Sequence, residues 1–493
     1  MVSSKMQQKG QNGKNKTIFA IAAVAVFILV NMLPISGVGT AGHRALAVAA
    51  MAVVLWITEA VELPLSALII MVLLSFSLGF APDPEKPSQL LGLPSALKVV
   101  LGGWAEEMVW FMLSGVVIAL AMEKVGLDRR IALWIVSRFK TASGVLVGTI
   151  IAMDVLAFFM PPVVARTAAM VPIVIGIVRC FELPLNSRLA AMLGAAMATA
   201  GNTSAYGLLS GGGMNPLVAS FVAKATGHVI SYGEWLIWWY PYTIITSVLL
   251  YFLAKLLFKP EVEEVPGGEE TLHNLYRELG PWTPEQKKVL AIALATVFMW
   301  VANGKLFNLN LTAISLIAVV AFMFPGLGVL PWNEAEKKLP WGTFLLFATG
   351  ISLGMTLVKT GAAKWIADVM FVSLGVTHAH WLVALGVFCL GGVLLHFGFS
   401  SSTALCATYI PVVIGFVQAT GRTDLSLIAI PLAVLSATGF TILVVNTPNT
   451  MIAYNSGTFT SREFFRLGLL NAVFSFVLLL AYCALYLPLV GGM

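Results

Sequence analysis

Charge is what this chain has least of. Only 11% of its 493 residues are Asp, Glu, Lys or Arg, against 59% hydrophobic residues, and its mean hydropathy is +0.91. That balance excludes a soluble globular protein, whose charged fraction runs near a quarter. Cysteine is also scarce. Cys180, Cys389, Cys406 and Cys483 stand singly in apolar segments, without metal-ligand spacing or a disulfide framework, and read as small core residues. No HExxH occurs, no Asp pair lies within the apolar runs, and no polar stretch could house a soluble catalytic domain. An enzyme is therefore not expected. A basic nucleic-acid-binding domain is missing too. Part of the net charge of +6 lies in Lys5, Lys9, Lys14 and Lys16, which precede the first apolar run with no acidic residue among them. They place a short N-terminus, residues 1–16, in the cytoplasm of a bacterial-type inner membrane.

What remains is hydrophobic sequence, enough for about a dozen spans of a bilayer. The first run, Thr17–Pro34, lacks a convincing small-residue cleavage site and reads as a span rather than a signal peptide. Further spans are expected at Ala45–Val61, Leu65–Phe80, Glu107–Arg138 (broken near Lys124-Val125-Gly126), from Ser187 (broken across 201–216), and Trp235–Leu257. The stretch Ala81–Ala96 should lie outside. The one long polar linker, Lys259 to Lys288, should be a cytoplasmic surface helix whose glutamates form a solvated face. Beyond it, spans are expected at Val289–Ala302, Leu311–Pro325, Trp341–Leu374, Leu425–Asn455 (broken at 446–450) and Phe464–Leu487. Two re-entrant hairpins complete the plan, at 144–179 and 379–418. Their tips carry Met160 to Thr167 and Ser400-Ser401-Ser402-Thr403. Non-helical backbone at membrane depth survives only when buried in protein or lining a wet cavity.

The chain also repeats itself. Aligning Pro172 with Pro411, 239 residues later, matches PIVIGIV to PVVIGFV at five of seven positions. Ala165 and Ala168 then fall on Ala404 and Ala407. SGVVIALAMEKVGL from Ser114 recurs as TGISLGMTLVKTGA from Thr349, placing Lys124 and Gly126 on Lys359 and Gly361. GMNPLVA falls on TPNTMIA, placing Asn215 on Asn449. Five spans per repeat, an odd number, invert one half relative to the other. The fold class expected is an all-α polytopic membrane protein of two inverted repeats: residues 17–258 and 289–493, joined by the 259–288 linker. About eleven spans and two hairpins result. Duplicated halves with interrupted helices at matching positions point to a transport site near the midplane.

Four irregular stretches should converge there. Their free helix starts suit an anion, and their carbonyl and hydroxyl oxygens suit a hard cation such as Na⁺. The candidate substrate-binding residues are Arg166, Thr167, Asn202, Thr203, Asn215, Ser401, Ser402, Thr403, Asn446, Thr447, Pro448 and Asn449. Ser401, Ser402, Thr403 and Thr447 are also the candidate Na⁺ ligands. Arg166 is costly inside an apolar segment and so marks function. It either binds an anionic substrate or replaces a bound cation, and the bland alternative is an ion pair with Asp154. Asp154 could instead relay protons, as in a cation/proton antiporter. His396 reads as a satisfied interior histidine, and Glu59 and Glu62 as interfacial.

From about residue 40 onward the chain resembles the divalent anion/sodium symporter (DASS) family of the ion-transporter superfamily. The resemblance rests on Ser114–Ala132, the two proline-followed hairpin tips and NTPNTMIA. Family members carry Ser-Asn-Thr at both tips. Here Ser401-Ser402-Thr403 keeps most of the second, whereas Pro162-Val163-Val164 replaces the first; Ala165-Arg166 resembles the branch of organic-anion exchangers. The resemblance implies a secondary carrier of dicarboxylates, tricarboxylates or sulfate, either Na⁺-coupled or exchanging anions. It also implies a homodimer and an elevator-type movement of hairpins and neighbouring helices against a scaffold.

Overall fold

The computed structural model describes residues 2–491 except 84, 85, 87, 265, 267, 268, 370–379, 400 and 420–425. Among the described residues the chain is helical throughout, with three isolated β-bridges and no sheet. The first half contains α1 (Val2–Met32), α2 (Thr40–Thr58), α3 (Leu63–Gly79), α4 (Leu93–Leu101), α5 (Glu107–Val125) and α6 (Leu127–Val136). It continues with α7 (Ala142–Ala157), α8 (Val163–Cys180), α9 (Arg188–Tyr206), α10 (Met214–Thr226) and α11 (Tyr232–Leu257). The linker carries α12 (Glu269–Arg277). The second half contains α13 (Pro284–Ala302), α14 (Leu311–Met323), α15 (Trp332–Lys338), α16 (Trp341–Lys359) and α17 (Ala362–Ala367). It ends with α18 (Trp381–Leu395), α19 (Ser402–Ala419), α20 (Ser426–Ala437), α21 (Pro448–Asn455) and α22 (Ser461–Leu485).

Seven helices among the described residues are long and apolar enough to cross a membrane: Asn15–Met32, Thr40–Thr58, Leu93–Val125, Val163–Cys180, Tyr232–Leu257, Trp341–Lys359 and Ser461–Leu485. Shorter apolar helices fill several other expected positions, among them α7 and α18, the leading arms of the two helix–turn–helix pairs, whereas α9 and α13, at the spans expected from Ser187 and at Val289–Ala302, belong to neither group. Local chemistry sets many of the boundaries. Gly126 (φ +65°) breaks α5 from α6, and its repeat partner Gly361 (φ +74°) breaks α16 from α17. Only glycine takes that left-handed conformation without strain. Capping boxes start α11 (Ser231 with Glu234), α13 (Thr283 with Gln286) and α22 (Thr460 with Glu463).

Several expected boundaries move. Part of the stretch expected outside forms α4, started by Leu93-Pro94, because proline suits a first helical turn. The break in the fifth span is narrower, 207–213 rather than 201–216. Asn202, Thr203 and Ser204 bond back to Ala198, Thr199 and Gly201 carbonyls, so they sit inside the helix and only the glycine-rich run unwinds. The later break begins earlier, at Thr438, and ends at Thr447 because Pro448 opens α21. The predicted ends at Leu374, Ala379 and Leu425 and the tip residue Ser400 lie outside the described residues.

The helices pack in exchanged pairs. α5 packs on α14 as α16 packs on α3, and α10 packs on α19 as α21 packs on α8, while within each half α7 packs on α9 as α18 packs on α20. A duplicated chain folded about a two-fold axis produces that pattern. Close approach supports the centre: a Cβ on Gly439 would stand 1.9 Å from the Tyr206 ring, so the second unwound segment lies directly on α9.

The linker is no solvated spectator. The Glu261 carboxylate accepts the Arg188 and Leu189 amides at the start of α9, at 2.6 and 3.2 Å. Glu263 accepts the Ala142 and Ser143 amides at the start of α7. Arg130 of α6 donates to the Leu279, Gly280 and Pro281 carbonyls and lies over the Tyr276 and Trp282 rings. For Glu261, partial burial would raise the carboxyl, but the donated amides outweigh it and hold it below its usual range. A depressed folded-state value means stability that is complete above the unfolded value of 4.5 and fades as pH falls through the lower, folded one. Glu261→Gln should therefore melt below the wild type at pH 7, with the gap closing in acid. An unchanged gap at low pH would refute the assignment.

Candidate functional site

Four helix starts open onto one chamber of about 900 Å³. They are Val163 of α8, Met214 of α10, Ser402 of α19 and Pro448 of α21. Each presents backbone N–H groups without partners inside its helix and the positive end of a helix dipole. The outer wall comes from α5, through Met112, Val116 and Leu120, and from the starts of α3 and α16. Glu59, Glu123 and Lys338 form a charged rim. Lys338 stands 3.9 Å from Glu123, and Lys124 pairs with Glu334 beside it. Glu59, expected merely at an interface, is thus part of the chamber.

Of the predicted substrate-binding residues, Asn202, Ser401, Ser402, Thr403, Thr447, Pro448 and Asn449 line this chamber. Asn449 is only 2% exposed, and its amide nitrogen has no hydrogen-bond partner among the described residues. A buried donor left open at a cavity wall points to a ligand that supplies the acceptor. Asn202 donates to the Thr441 hydroxyl at 3.1 Å, tying α9 to the second unwound segment. Thr447 shares its hydroxyl with Thr450 at 3.0 Å. Ser401 caps α19 by accepting the Ala404 amide.

The other predicted residues stand behind the walls and hold them. Arg166 is fully buried and does not line the chamber. Its Nη1 donates to the Met160 carbonyl at 2.5 Å and the Gly211 carbonyl at 2.9 Å. Its Nη2 donates to Gly201 at 3.2 Å. The guanidinium thus gathers carbonyls from the first tip, from α9 and from the first unwound segment. No ion pair joins it to Asp154 among the described residues; Asp154 instead accepts from Ser247 at 3.0 Å. Asn215 donates to the Ala205 and Leu208 carbonyls, both at 2.6 Å. Asn446 accepts the Ile442 and Leu443 amides and donates to the His396 carbonyl. Thr203 bonds back within α9, and the buried Thr167 hydroxyl has no partner among the described residues. The ring nitrogens of His396 also lack one, contrary to the satisfied histidine expected.

In the second half the repeat partner of Arg166 is Leu405, fully buried and apolar. The second tip therefore has no built-in cation at that position. Its hydroxyls at Ser401, Ser402 and Thr403, with Thr447, are hard oxygen donors of the kind Na⁺ takes. Metal sites of the His/Cys/carboxylate kind do not arise among the described residues.

Residues 14–493 match the family described as the sodium:sulfate symporter transmembrane region. A membrane protein of Cupriavidus necator is 33% identical over 472 residues, covering 94% of this chain and 91% of that one. The sodium-dependent dicarboxylate transporter SdcS of Staphylococcus saprophyticus is 26% identical over 464 residues, covering 89% and 84%. Among solved structures, the YdaH transporter of Alcanivorax borkumensis superimposes with a TM-score of 0.55 at 14% identity, covering 89% of this chain and 98% of that one. MtrF of Neisseria gonorrhoeae gives 0.56 at 15%, covering 94% and 97%. These two share the fold.

Proposed function

The chain belongs to the sodium:sulfate symporter family, and from that premise we propose how it works as a secondary transporter of divalent anions. It is an integral multi-pass membrane protein and not an enzyme. The anion binds in the chamber where the starts of α8, α10, α19 and α21 meet, with Asn449, Ser402 and Thr403 as side-chain donors. The observation that carries this reading is the open Asn449 amide, buried at the wall among four helix starts. Arg166 serves as a fixed cation in the first half, and a single Na⁺ binds at the second tip, among Ser401, Ser402, Thr403 and Thr447. The hairpins at 144–179 and 379–418, with α9–α11 and α20–α22, move as one body against α2–α5 and α13–α16 in an elevator-type step. The two halves are inverted repeats, the working unit is a homodimer in an inner membrane, and the N-terminus and linker are cytoplasmic.

Uptake into liposomes of purified protein tests the reading. Labelled succinate, 2-oxoglutarate, citrate and sulfate are offered separately, first with an inward Na⁺ gradient, then without Na⁺ but with the same anion preloaded. Uptake that needs the gradient supports the single second-half sodium. A second reading, anion exchange, is favoured by the fixed charge of Arg166, and uptake that needs only preloaded anion would select it. Failure in both arms, with proton-driven cation flux lost in Asp154→Asn, would replace both with the antiporter.

A further inference from the structure

The two hairpin tips bring opposite chemistry to the chamber. The internal repeat places Pro162, Val163 and Val164 on Ser401, Ser402 and Thr403. The structure brings both triplets to the wall of the same chamber. On the second-half side stand the Ser402 and Thr403 hydroxyls and the open Asn449 amide. The first-half tip offers two prolines, which have no backbone N–H, and two valines, and the nearby Asn202 amide is already spent on the Ala198 carbonyl and the Thr441 hydroxyl. Val164 is 39% exposed at the chamber. The side chains of a helix lean toward its start, so Val163 and Val164 put branched hydrocarbon at the mouth of α8. The Met160 and Pro161 carbonyls nearby are taken by Arg166. Val116 and Leu120 of α5 extend the apolar side.

We infer that the preferred substrate is a head-and-tail organic anion. Its charge is gathered in one head group (a geminal dicarboxylate, phosphonate or sulfonate), and the rest of it is hydrocarbon. This rests on the proposed anion-transport reading and sharpens it. A dicarboxylate charged at opposite ends would set its second carboxylate against Pro162, Val163 and Val164. It would lose its water there and gain no side-chain donor. A hydrocarbon tail in the same place gains from leaving water, by a factor of several for each buried methylene.

The test uses isomers that differ only in where the charge sits: ethylmalonate against glutarate, and butylmalonate against pimelate. Each is measured as a competitor and as a labelled substrate in the proteoliposome assay. The malonates should be taken up with half-saturation about tenfold or more below that of their isomers, the gap widening with the longer pair. In the double variant Val163→Asn, Val164→Thr the gap should shrink or reverse. If that variant does not fold, the wild-type comparison decides alone. Glutarate and pimelate equalling or outdoing their isomers would overturn the inference and leave the anion transporter standing. So would transport of succinate or sulfate with neither malonate accepted. No uptake of any anion would overturn both.

Discussion

Arg166→Ala should abolish uptake and melt far below the wild type. The guanidinium is fully buried and donates to carbonyls of Met160, Gly201 and Gly211, which belong to the first tip, to α9 and to the unwound segment after it. Alanine removes all of these donors at once. Each buried carbonyl left without a partner costs about 1–3 kcal/mol. That is a large share of a typical folding free energy. Arg166→Lys should retain the charge but not the fork that reaches two segments, and should recover part of the stability and little of the rate. If the guanidinium stands in for a cation, added Na⁺ should raise the melting temperature of the alanine variant more than that of the wild type. Thermal melts in detergent, with and without Na⁺, read this directly. An alanine variant that melts with the wild type would sink the assignment.

Asn449→Asp should lose transport while keeping its fold. The substitution is isosteric, and Asn449 lies in the first turn of α21, where the helix dipole favours a negative charge. Asn449 lies in the chamber wall, and there an unpartnered N–H donor becomes a carboxylate oxygen. The substrate then loses a hydrogen bond to a charged group, about 1.5–3 kcal/mol. It also meets a like charge, worth about 4 kcal/mol at 4 Å in a partly screened site. Uptake should fall by about a hundredfold or more, whereas Asn449→Ala should cost about tenfold. The melting temperature of the aspartate variant should stay within a few degrees of the wild type. Transport retained at more than a tenth of the wild-type rate would remove Asn449 from the site.

Much of this architecture was legible because it is written twice. Gly126 and Gly361 match in sequence, and both take positive φ at the same helix break. The four irregular stretches were visible as glycine, proline and hydroxyl residues in apolar surroundings, and seven of the twelve residues drawn from them line one chamber. The boundaries were less legible. Asn202, Thr203 and Ser204 look like loop residues, but they satisfy their side chains on the preceding helical turn, a choice that composition does not reveal. The roles of Arg166 and Asn446 depended on which carbonyls came near them. Those acceptors are 5 to 50 residues away and are set by packing. Glu261 and Glu263 read as solvated charge because their partners, the starts of α9 and α7, lie more than 70 residues earlier. Glu59 gave no signal for the chamber rim beyond its charge.

The exchanged packing has a consequence for how the protein is made. When the ribosome has finished α11, the faces of α8 and α10 that will meet α21, α19 and α20 have no partners, since those helices do not yet exist. The acceptors of Arg166 all lie between residues 160 and 211, so the newborn first half already has its exposed backbone tied up from within. It can wait in the membrane as a template. At the second tip the tie is neutral, from the Asn446 amide to the His396 carbonyl, and α19, α20 and α21 complete their packing on the faces the first half has left open.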